Sequence, residues 1–140
     1  MRIANGETDI HLTYCLNIHA GESWAENVAA IRRHVPRVRE ACGDRGPFGL
    51  GLRLGRQAAA ELRSPQQREE FAAFLADRGL YVFTINGFPY GTFHGTSVKE
   101  HVYAPDWRAE ERVAYTADLV AVLAELLPEG VPGSISTLPG

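Results

Sequence analysis

The chain has 140 residues, of which 45% are hydrophobic and 22% are charged, and its formal net charge is −3. This composition is typical of one globular domain and excludes a disordered, collagen-like or coiled-coil chain. The weak negative charge argues against nucleic acid as a partner, and the absence of an 18-residue apolar run argues against membrane insertion. An N-terminus without an apolar signal segment and a count of two cysteines, Cys15 and Cys42, predict a cytoplasmic protein.

The first third of the chain predicts a strand and a helix. Apolar and polar residues alternate from His11 to His19, and a period of two is typical of a β-strand. Ser23 and Glu26 then have the spacing of a capping box, and apolar residues follow at steps of three and four. Pro36 lies inside that pattern, so we expect the helix to kink or restart there.

The middle of the chain repeats this alternation. A short strand is predicted at 50–54 and a helix at 56–63. A second helix begins at Ser64, where a second capping box is predicted, and ends at Gly79. The third strand is predicted at 80–86, as an apolar and β-branched run.

The last third begins with a long segment that has no clear periodicity, Gly87–Pro105. A loop of that length in a compact domain is usually functional. Asp106 is predicted to cap a helix that carries Val113 and Val120 on its apolar face. A fourth strand is predicted at 134–138.

Strands that alternate with amphipathic helices predict an α/β fold with a parallel sheet and right-handed crossovers. Each predicted strand has one face that is polar or small, whereas both faces of a doubly wound sheet are apolar. Such a face over four strands is typical of the inside of a barrel. It comprises Thr13, Cys15, Asn17, His19, Gly51, Arg53, Val82, Thr84, Asn86, Ser134 and Ser136. We therefore predict parallel β/α units that form the N-terminal half of a TIM (β/α)₈ barrel, with residues 1–140 as a single incomplete domain. The alternative is a complete small α/β domain of flavodoxin-like type.

Active sites of such barrels lie at the carboxyl ends of the strands. Asn17 and His19 are two residues apart, so both are predicted to point inward, Asn17 as a substrate ligand and His19 as a general acid–base. The alternative for His19 is a structural histidine. Arg53 is also predicted to point inward and to bind substrate, because a buried guanidinium needs an acid, a carboxylate substrate or a phosphate. The alternative to a ligand is an internal salt bridge to an acid from the missing half of the barrel. Asn86 ends the third strand and is predicted to bind substrate.

The segment after the third strand is the densest in candidate site residues. Seven of the thirteen aromatic residues lie at positions 81–107. Phe88 and Tyr90 are predicted to form an apolar wall against the substrate, with the alternative that they only hold the loop on the barrel rim. His94 is a second predicted catalytic residue, and Lys99, the single lysine, is placed to neutralise a phosphate. The histidines and cysteines have no zinc spacing, so no metal ligand is predicted in this chain.

Four segments of the sequence carry a family resemblance: HLTYCLNIHAGESW (11–24), GLGLRLG (49–55), LYVFTINGFPYGTFHGTSVKEHVYAPDW (80–107) and GSISTLPG (133–140). They resemble the N-terminal part of EboE-type metabolite traffic proteins, which are similar to sugar-phosphate isomerases and epimerases of the xylose-isomerase-like barrel superfamily. The residues that match the family's early motifs at the barrel mouth are Asn17, His19, Arg53, Asn86, His94 and Lys99.

The resemblance implies a cytoplasmic bacterial barrel that handles a sugar phosphate, a polyol or a prenylated derivative. A divalent metal in the wider superfamily is held by Glu, Asp and His on later strands, so it is expected only in a full-length protein. Two functions follow: a sugar-phosphate isomerase or epimerase, and a non-catalytic metabolite binder or carrier. A third reading is a small complete α/β interaction domain. In the half-barrel reading, the chain alone is expected to be inactive, and a dimer or the missing C-terminal half is expected to complete the barrel.

Overall fold

The computed structural model describes residues 1–5, 8–43, 45–92 and 103–139. Its elements in chain order are β1 (Arg2–Asn5), β2 (Thr8–His11), β3 (Thr13–Cys15), α1 (Trp24–Ala41), β4 (Phe48–Arg53), α2 (Arg56–Glu61), α3 (Pro65–Asp77), β5 (Leu80–Asn86), α4 (Glu110–Leu126) and β6 (Ser134–Ser136). A 3₁₀ turn, Leu16–Ile18, follows β3. The predicted α/β class is confirmed. None of the helices that the described residues form is long and apolar enough to cross a bilayer.

Strands β3, β4, β5 and β6 form a parallel sheet in that order, so neighbours in the sheet are also neighbours along the chain. A flavodoxin-like sheet has the order 2-1-3-4-5. The flavodoxin-like alternative is therefore not supported by the strand order.

One face of this sheet belongs to the core. Leu50, Leu52, Val82 and Ile85 are almost fully buried, and they form a single apolar cluster with residues of all four helices. Burying one large aliphatic side chain contributes about 1.5–3 kcal/mol to stability. This packing holds β4 in the middle of the fold, with a paired strand on either side.

The other face of the sheet is polar or small in β3, β4 and β6, as predicted, but in β5 it carries the rings of Tyr81 and Phe83. The pairing of β4 with β5 is irregular at Leu50/Gly51, so that Leu50 pairs with Val82 but Gly51 pairs with Thr84. Val82 consequently lies in the core, while the ring of Phe83 lies on the face of Gly49. The prediction that Val82 belongs to the polar face is wrong, because the extra residue in β5 shifts the alternation.

The predicted strand from His11 to His19 is wrong in its bounds. His11 ends β2, which pairs antiparallel with β1 in a hairpin that was not predicted. The amide of Leu12 donates to the carbonyl of Met1 at 2.8 Å, so the hairpin pairing continues to position 12. Strand β3 is short because the chain turns at Leu16, whose side chain enters the core.

Helix α1 begins as its sequence predicts. The Glu26 amide donates to Ser23 Oγ at 3.2 Å, and the Ser23 amide donates to Glu26 Oε2 at 2.9 Å, which confirms the capping box. The predicted restart at Pro36 is wrong, since the helix is continuous from Trp24 to Ala41. Val35, beside the proline, is buried in the core, and this packing keeps the chain helical there.

The other helices differ from the predictions at their ends. Helix α3 starts at Pro65 as expected, but the Ser64 side chain makes no capping hydrogen bond, so the second capping box is wrong. Helix α4 starts at Glu110 rather than after Asp106. The Asp106 carboxylate instead accepts the amide of Arg108 at 3.0 Å, which forms a local turn before the helix.

The apolar face predicted for α4 is also wrong. Val113 and Val120 are 53% and 54% exposed. The face that packs on the sheet carries Arg112, Tyr115, Leu119, Val122, Leu123 and Leu126. This face begins with an arginine and a tyrosine, so a pattern of apolar residues alone does not predict it.

Candidate functional site

The carboxyl ends of β4, β5 and β6 bring three polar residues into one row. Arg53 pairs in register with Asn86, and Asn86 pairs with Ser136. Neighbouring strands lie about 4.8 Å apart. The predicted site residues Arg53 and Asn86 are therefore side by side at the edge where parallel sheets bind ligands.

Arg53 has the most unusual environment in this row. Its side chain is 1% exposed, and Nη2 donates to the carbonyl of Gly21 and lies 3.3 Å from Glu22 Oε1. Nε and Nη1 are also buried, and neither has a hydrogen-bond partner among the described residues. Arg53 thus has an internal salt bridge, but with Glu22 of this chain rather than with an acid of the missing half, and two donors of the guanidinium have no partner among the described residues.

Other buried polar atoms at this edge are also without a partner in the described part of the chain. Asn17 Oδ1 follows β3, and Thr137 Oγ1 follows β6. With Arg53 they come from three of the four strands of the parallel sheet. Buried polar atoms are normally hydrogen-bonded, so each unsatisfied one indicates a place for water or a ligand.

The side-chain oxygen of Asn86 already accepts hydrogen bonds from within the protein. Oδ1 accepts the amide of Phe88 at 3.0 Å and the hydroxyl of Ser136 at 3.2 Å. The next amide, of Gly87, donates to the carbonyl of Ser136 at 2.9 Å. Asn86 therefore fixes the start of the loop after β5 to the end of β6.

His19 does not share an inward face with Asn17. The 3₁₀ turn Leu16–Ile18 separates His19 from β3, and the His19 ring stacks on His34 of α1 with centroids 4.0 Å apart and planes at 15°. The Tyr14 hydroxyl lies 2.7 Å from His19 Nε2, and burial raises the pKa of Tyr14. The prediction that both side chains point inward from one strand is wrong, because the turn breaks the period of two.

Each of the two aromatic residues predicted to line the substrate packs against another aromatic ring of the fold. Phe88 packs edge-on against Tyr103, with ring centroids 5.4 Å apart. Tyr90 packs edge-on against Tyr115 of α4 at 5.3 Å, and the Arg112 guanidinium lies 5.3 Å from the Tyr90 ring centre. These contacts join the segment after β5 to Tyr103 and to α4.

Arg112 is a buried residue that sequence reasoning missed. It is 0% exposed, its Nε donates to the carbonyl of Pro105 at 2.8 Å, and its Nη1 donates to the carbonyl of Gly87 at 3.1 Å. Burial lowers the pKa of Arg112. This side chain joins the segment after β5 to the segment before α4. Its sequence signal is its position three residues before Tyr115, on the buried repeat of α4.

Tyr115 completes this buried polar group. Its hydroxyl donates to the carbonyl of Leu54, just beyond β4, and lies 3.4 Å from the carbonyl of Pro89. Burial raises the pKa of Tyr115, so the hydroxyl keeps its proton and remains a donor. Tyr115 thereby holds the chain just after Arg53.

The remaining two predicted site residues, His94 and Lys99, lie outside the described residues.

A cavity of about 210 Å³ lies next to the Arg53–Glu22 pair. It is lined by Ala20, Gly21, Glu22, Glu26 and Thr92. Hydrogen bonds from the amides of Ser23 and Glu22 lower the pKa of Glu26, so its carboxylate is ionised at neutral pH. The cavity has room for about seven waters. It is thus a small space lined by two carboxylates beside a buried cation.

A larger groove, of about 780 Å³, lies between α1 and α3. Its arginines are engaged within the protein: Arg39 donates to the carbonyls of Arg78 and Gly46, and Arg32 lies over the ring of Phe74. The groove is lined by α1, α3 and Leu80 at the start of β5 rather than by the carboxyl ends of the strands.

No group of three His, Cys, Asp or Glu side chains that could hold a metal ion occurs among the described residues.

Comparison of the chain with family models, with curated proteins and with solved structures found no match. The site geometry is thus the basis for the functional argument.

Proposed function

We propose that this chain forms four β/α units of a TIM-type barrel and binds a polyol or sugar-phosphate-like metabolite at the carboxyl edge of its sheet, as a cytoplasmic metabolite traffic protein of the EboE type. The observation that carries the proposal is the buried guanidinium of Arg53, which keeps two donors without a partner in the described part of the chain.

The barrel component of the proposal is supported by the sheet. Its strands follow one another in chain order, and its core face packs on the helices. On the opposite face, Thr13, Cys15, Ser134 and Ser136 are exposed. A barrel closes such a face inward, and either a second copy of the chain or further β/α units would complete it.

The ligand component is supported by the cost of the unsatisfied donors. A buried N–H group without an acceptor costs about 1–3 kcal/mol, and Arg53 has two such atoms. A ligand oxygen at that place recovers this free energy. Asn17 and Thr137 each have one unpartnered polar atom in the described part of the chain, at the carboxyl ends of the two outer strands of the sheet.

Binding without turnover, as by a carrier, is favoured over isomerisation by the environment of His19. One nitrogen of its ring is already 2.7 Å from the Tyr14 hydroxyl, and the ring stacks on His34. A general base needs a free nitrogen within hydrogen-bond reach of the substrate proton. The arrangement in the described residues gives His19 a packing role on α1.

Isothermal titration calorimetry of the purified chain with pentitols, hexitols and their monophosphates tests the proposal. We expect at least one ligand to bind, and we expect Arg53→Met to weaken its binding at least about tenfold, which is the loss of one charge-assisted hydrogen bond. Arg33→Met, on the exposed surface of α1, is the matched control and should bind like the wild type. Circular dichroism establishes that both variants are folded.

Two results would contradict the proposal: no binding of any ligand in the panel, or equal affinities of the wild type and Arg53→Met. An isomerisation assay with the bound monophosphate separates the two forms of the function. Product formation that depends on His19 would overturn the carrier form and leave the binding site in place.

A further inference from the structure

We infer that a cavity between three helices binds the ammonium group of a small alkyl amine. This cavity, named here the Trp24 cavity, has a volume of about 510 Å³ and is formed by α1, the last residue of α2 and α3. Its lining consists of Trp24, Ala25, Val28, Ala29, Arg32, Glu61, Gln67 and Glu70. None of these residues belongs to the proposed metabolite site, so the two sites can be tested independently.

The size and the α1 wall of the Trp24 cavity suit a small organic molecule. Cavities that bind such molecules usually have volumes of about 300–1,000 Å³ and apolar walls with a few polar groups. The Trp24 ring packs edge-on against Phe71, with centroids 4.7 Å apart, and Val28 continues the wall along α1. Ala25 and Ala29 are four residues apart on the same side of the helix, and their side chains end at the β-carbon. An alkyl chain therefore has both space and apolar contacts along α1.

The walls from α2 and α3 end in hydrogen-bond acceptors, on the side chains of Glu61, Gln67 and Glu70. Gln67 Oε1 is buried and has no donor among the described residues. A buried oxygen without a donor is costly, so it indicates that a water or a ligand supplies the hydrogen bond. This oxygen distinguishes the Trp24 cavity from a surface on which carboxylates are only solvated.

The two carboxylates of the lining are held in place by hydrogen bonds that leave acceptor positions open. Glu61 Oε2 accepts the amide of Trp24 at 2.7 Å, and Glu61 Oε1 accepts Gln57 Nε2 at 3.0 Å. Glu70 Oε1 accepts Gln66 Nε2 at 2.9 Å. A carboxylate has about four acceptor positions, so both groups can accept a further donor from a ligand. The neutral donors that fix them do not cancel their charge.

The charge of the lining favours a cation. Neither Glu61 nor Glu70 forms an ion pair with a cation of the described residues. Arg32 is the cation of the lining, and its guanidinium lies over the ring of Phe74, at 5.4 Å from the ring centre. With two carboxylates and one guanidinium, the lining has a formal net charge of −1. A ligand anion would be repelled, whereas a ligand cation is attracted.

An alkylammonium ion combines the features that this cavity requires. Its nitrogen has three N–H donors and no acceptor, which matches the three side chains that offer only oxygen acceptors to it. Its alkyl chain is apolar and lies along the wall of Trp24 and Val28. A neutral alcohol of the same length has a single donor and gains nothing from the charge of the carboxylates.

Fluorescence titration of a Trp107→Phe variant tests the inference, because Trp24 is then the single tryptophan of the chain. The probes are pentylamine, pentanol and pentanoate, which share a five-carbon chain and differ in charge. We expect pentylamine to change the Trp24 emission in a saturable way, with an affinity that calorimetry on the wild type reproduces. Pentanol and pentanoate should bind at least about tenfold more weakly.

Two matched pairs of variants separate charge from space. Glu70→Gln removes one charge at constant size and should weaken pentylamine at least about tenfold. Glu69→Gln, at the exposed neighbouring position outside the lining, should bind like the wild type. Ala29→Leu fills the cavity without a change of charge and should abolish binding, whereas Ala73→Leu, on the exposed surface of α3, should not. Circular dichroism establishes that each variant is folded, and Glu70→Gln alone decides the matter if Ala29→Leu is not.

Three results would overturn the inference: no binding of pentylamine, equal affinities for pentylamine and pentanol, or equal affinities of the wild type and Glu70→Gln. A lysine-containing peptide carries the same ammonium group, and tighter binding of the peptide than of pentylamine would overturn the assignment to a small molecule. Arg53→Met should bind pentylamine like the wild type. A failure of the polyol titrations therefore contradicts the proposed function and leaves the Trp24 cavity untouched.

Discussion

The α-carbon of Gly49 lies so close to the backbone carbonyl oxygen of Leu12 that a β-carbon at position 49 would be 2.5 Å from that oxygen. The same β-carbon would be 3.1 Å from the ring of Phe83. Gly49 is thus required by a close approach between the end of the N-terminal hairpin and β4. The packing of the hairpin on β4 therefore requires a residue without a side chain at position 49.

Gly49→Ala should therefore destabilise the fold by about 1–3 kcal/mol, because a backbone atom yields less readily than a flexible side chain. Urea denaturation gives this value from the shift of the midpoint. Gly91→Ala is the matched control, since a β-carbon there meets no atom of the described residues within 4 Å and should change stability little. Equal midpoints for the two variants would show that the hairpin adjusts without cost.

The core strands follow from the sequence because each interior strand alternates over several residues. Leu50 and Leu52 predict the buried face of β4, and the register with β5 then places Arg53 beside Asn86. The position of Val82 could not be predicted, since its face depends on a bulge that exists only in the pairing of two strands. The hairpin was missed because it is too short for a periodic signal.

The candidate site could likewise be predicted only in part from the sequence. Arg53 was predicted from its strand end, but its partner Glu22 lies in a loop, and loops have no period that would place a side chain. Arg112 was missed because its polar side chain interrupts an apolar repeat. Both residues are recognised only when burial and hydrogen-bond partners are known.

Pro36→Ala should stabilise the chain by about 1–3 kcal/mol. Pro36 lies within the continuous helix α1 and is exposed, so alanine restores an amide donor and a favourable helix residue without losing core contacts. Thermal unfolding followed by circular dichroism measures the gain. Arg37→Ala, at the exposed neighbouring position, should change stability by less than about 0.5 kcal/mol. A lower midpoint of thermal unfolding for Pro36→Ala would mean that the fixed backbone angle of the proline stabilises α1.

Arg112→Met should destabilise the fold by about 2–5 kcal/mol. The variant removes a buried charge together with its donors to the carbonyls of Pro105 and Gly87, and buried acceptors without donors are costly. Arg108→Met is the matched control, because that side chain is exposed and its ion pair with Asp106 contributes little. Denaturant midpoints that coincide for the two variants would refute a structural role of the buried guanidinium.

The Glu26 cap of α1 should make the stability of the fold depend on pH. The carboxylate accepts the amides of Glu22 at 2.8 Å and Ser23 at 2.9 Å, and these hydrogen bonds lower its pKa below the ordinary value of 4.5. A carboxyl group whose pKa is lower in the folded state stabilises the protein at pH values above its unfolded pKa. This contribution is lost as the pH falls through the folded pKa.

Glu26→Ala should thus unfold at a lower temperature than the wild type at pH 7. This gap between the two unfolding temperatures should narrow below about pH 4.5. Scanning calorimetry between pH 7 and pH 3 measures the gap, with Glu129→Ala as the control that should show none. An equal difference in unfolding temperature at pH 7 and at pH 3 would mean that the charge of Glu26 does not contribute to the cap.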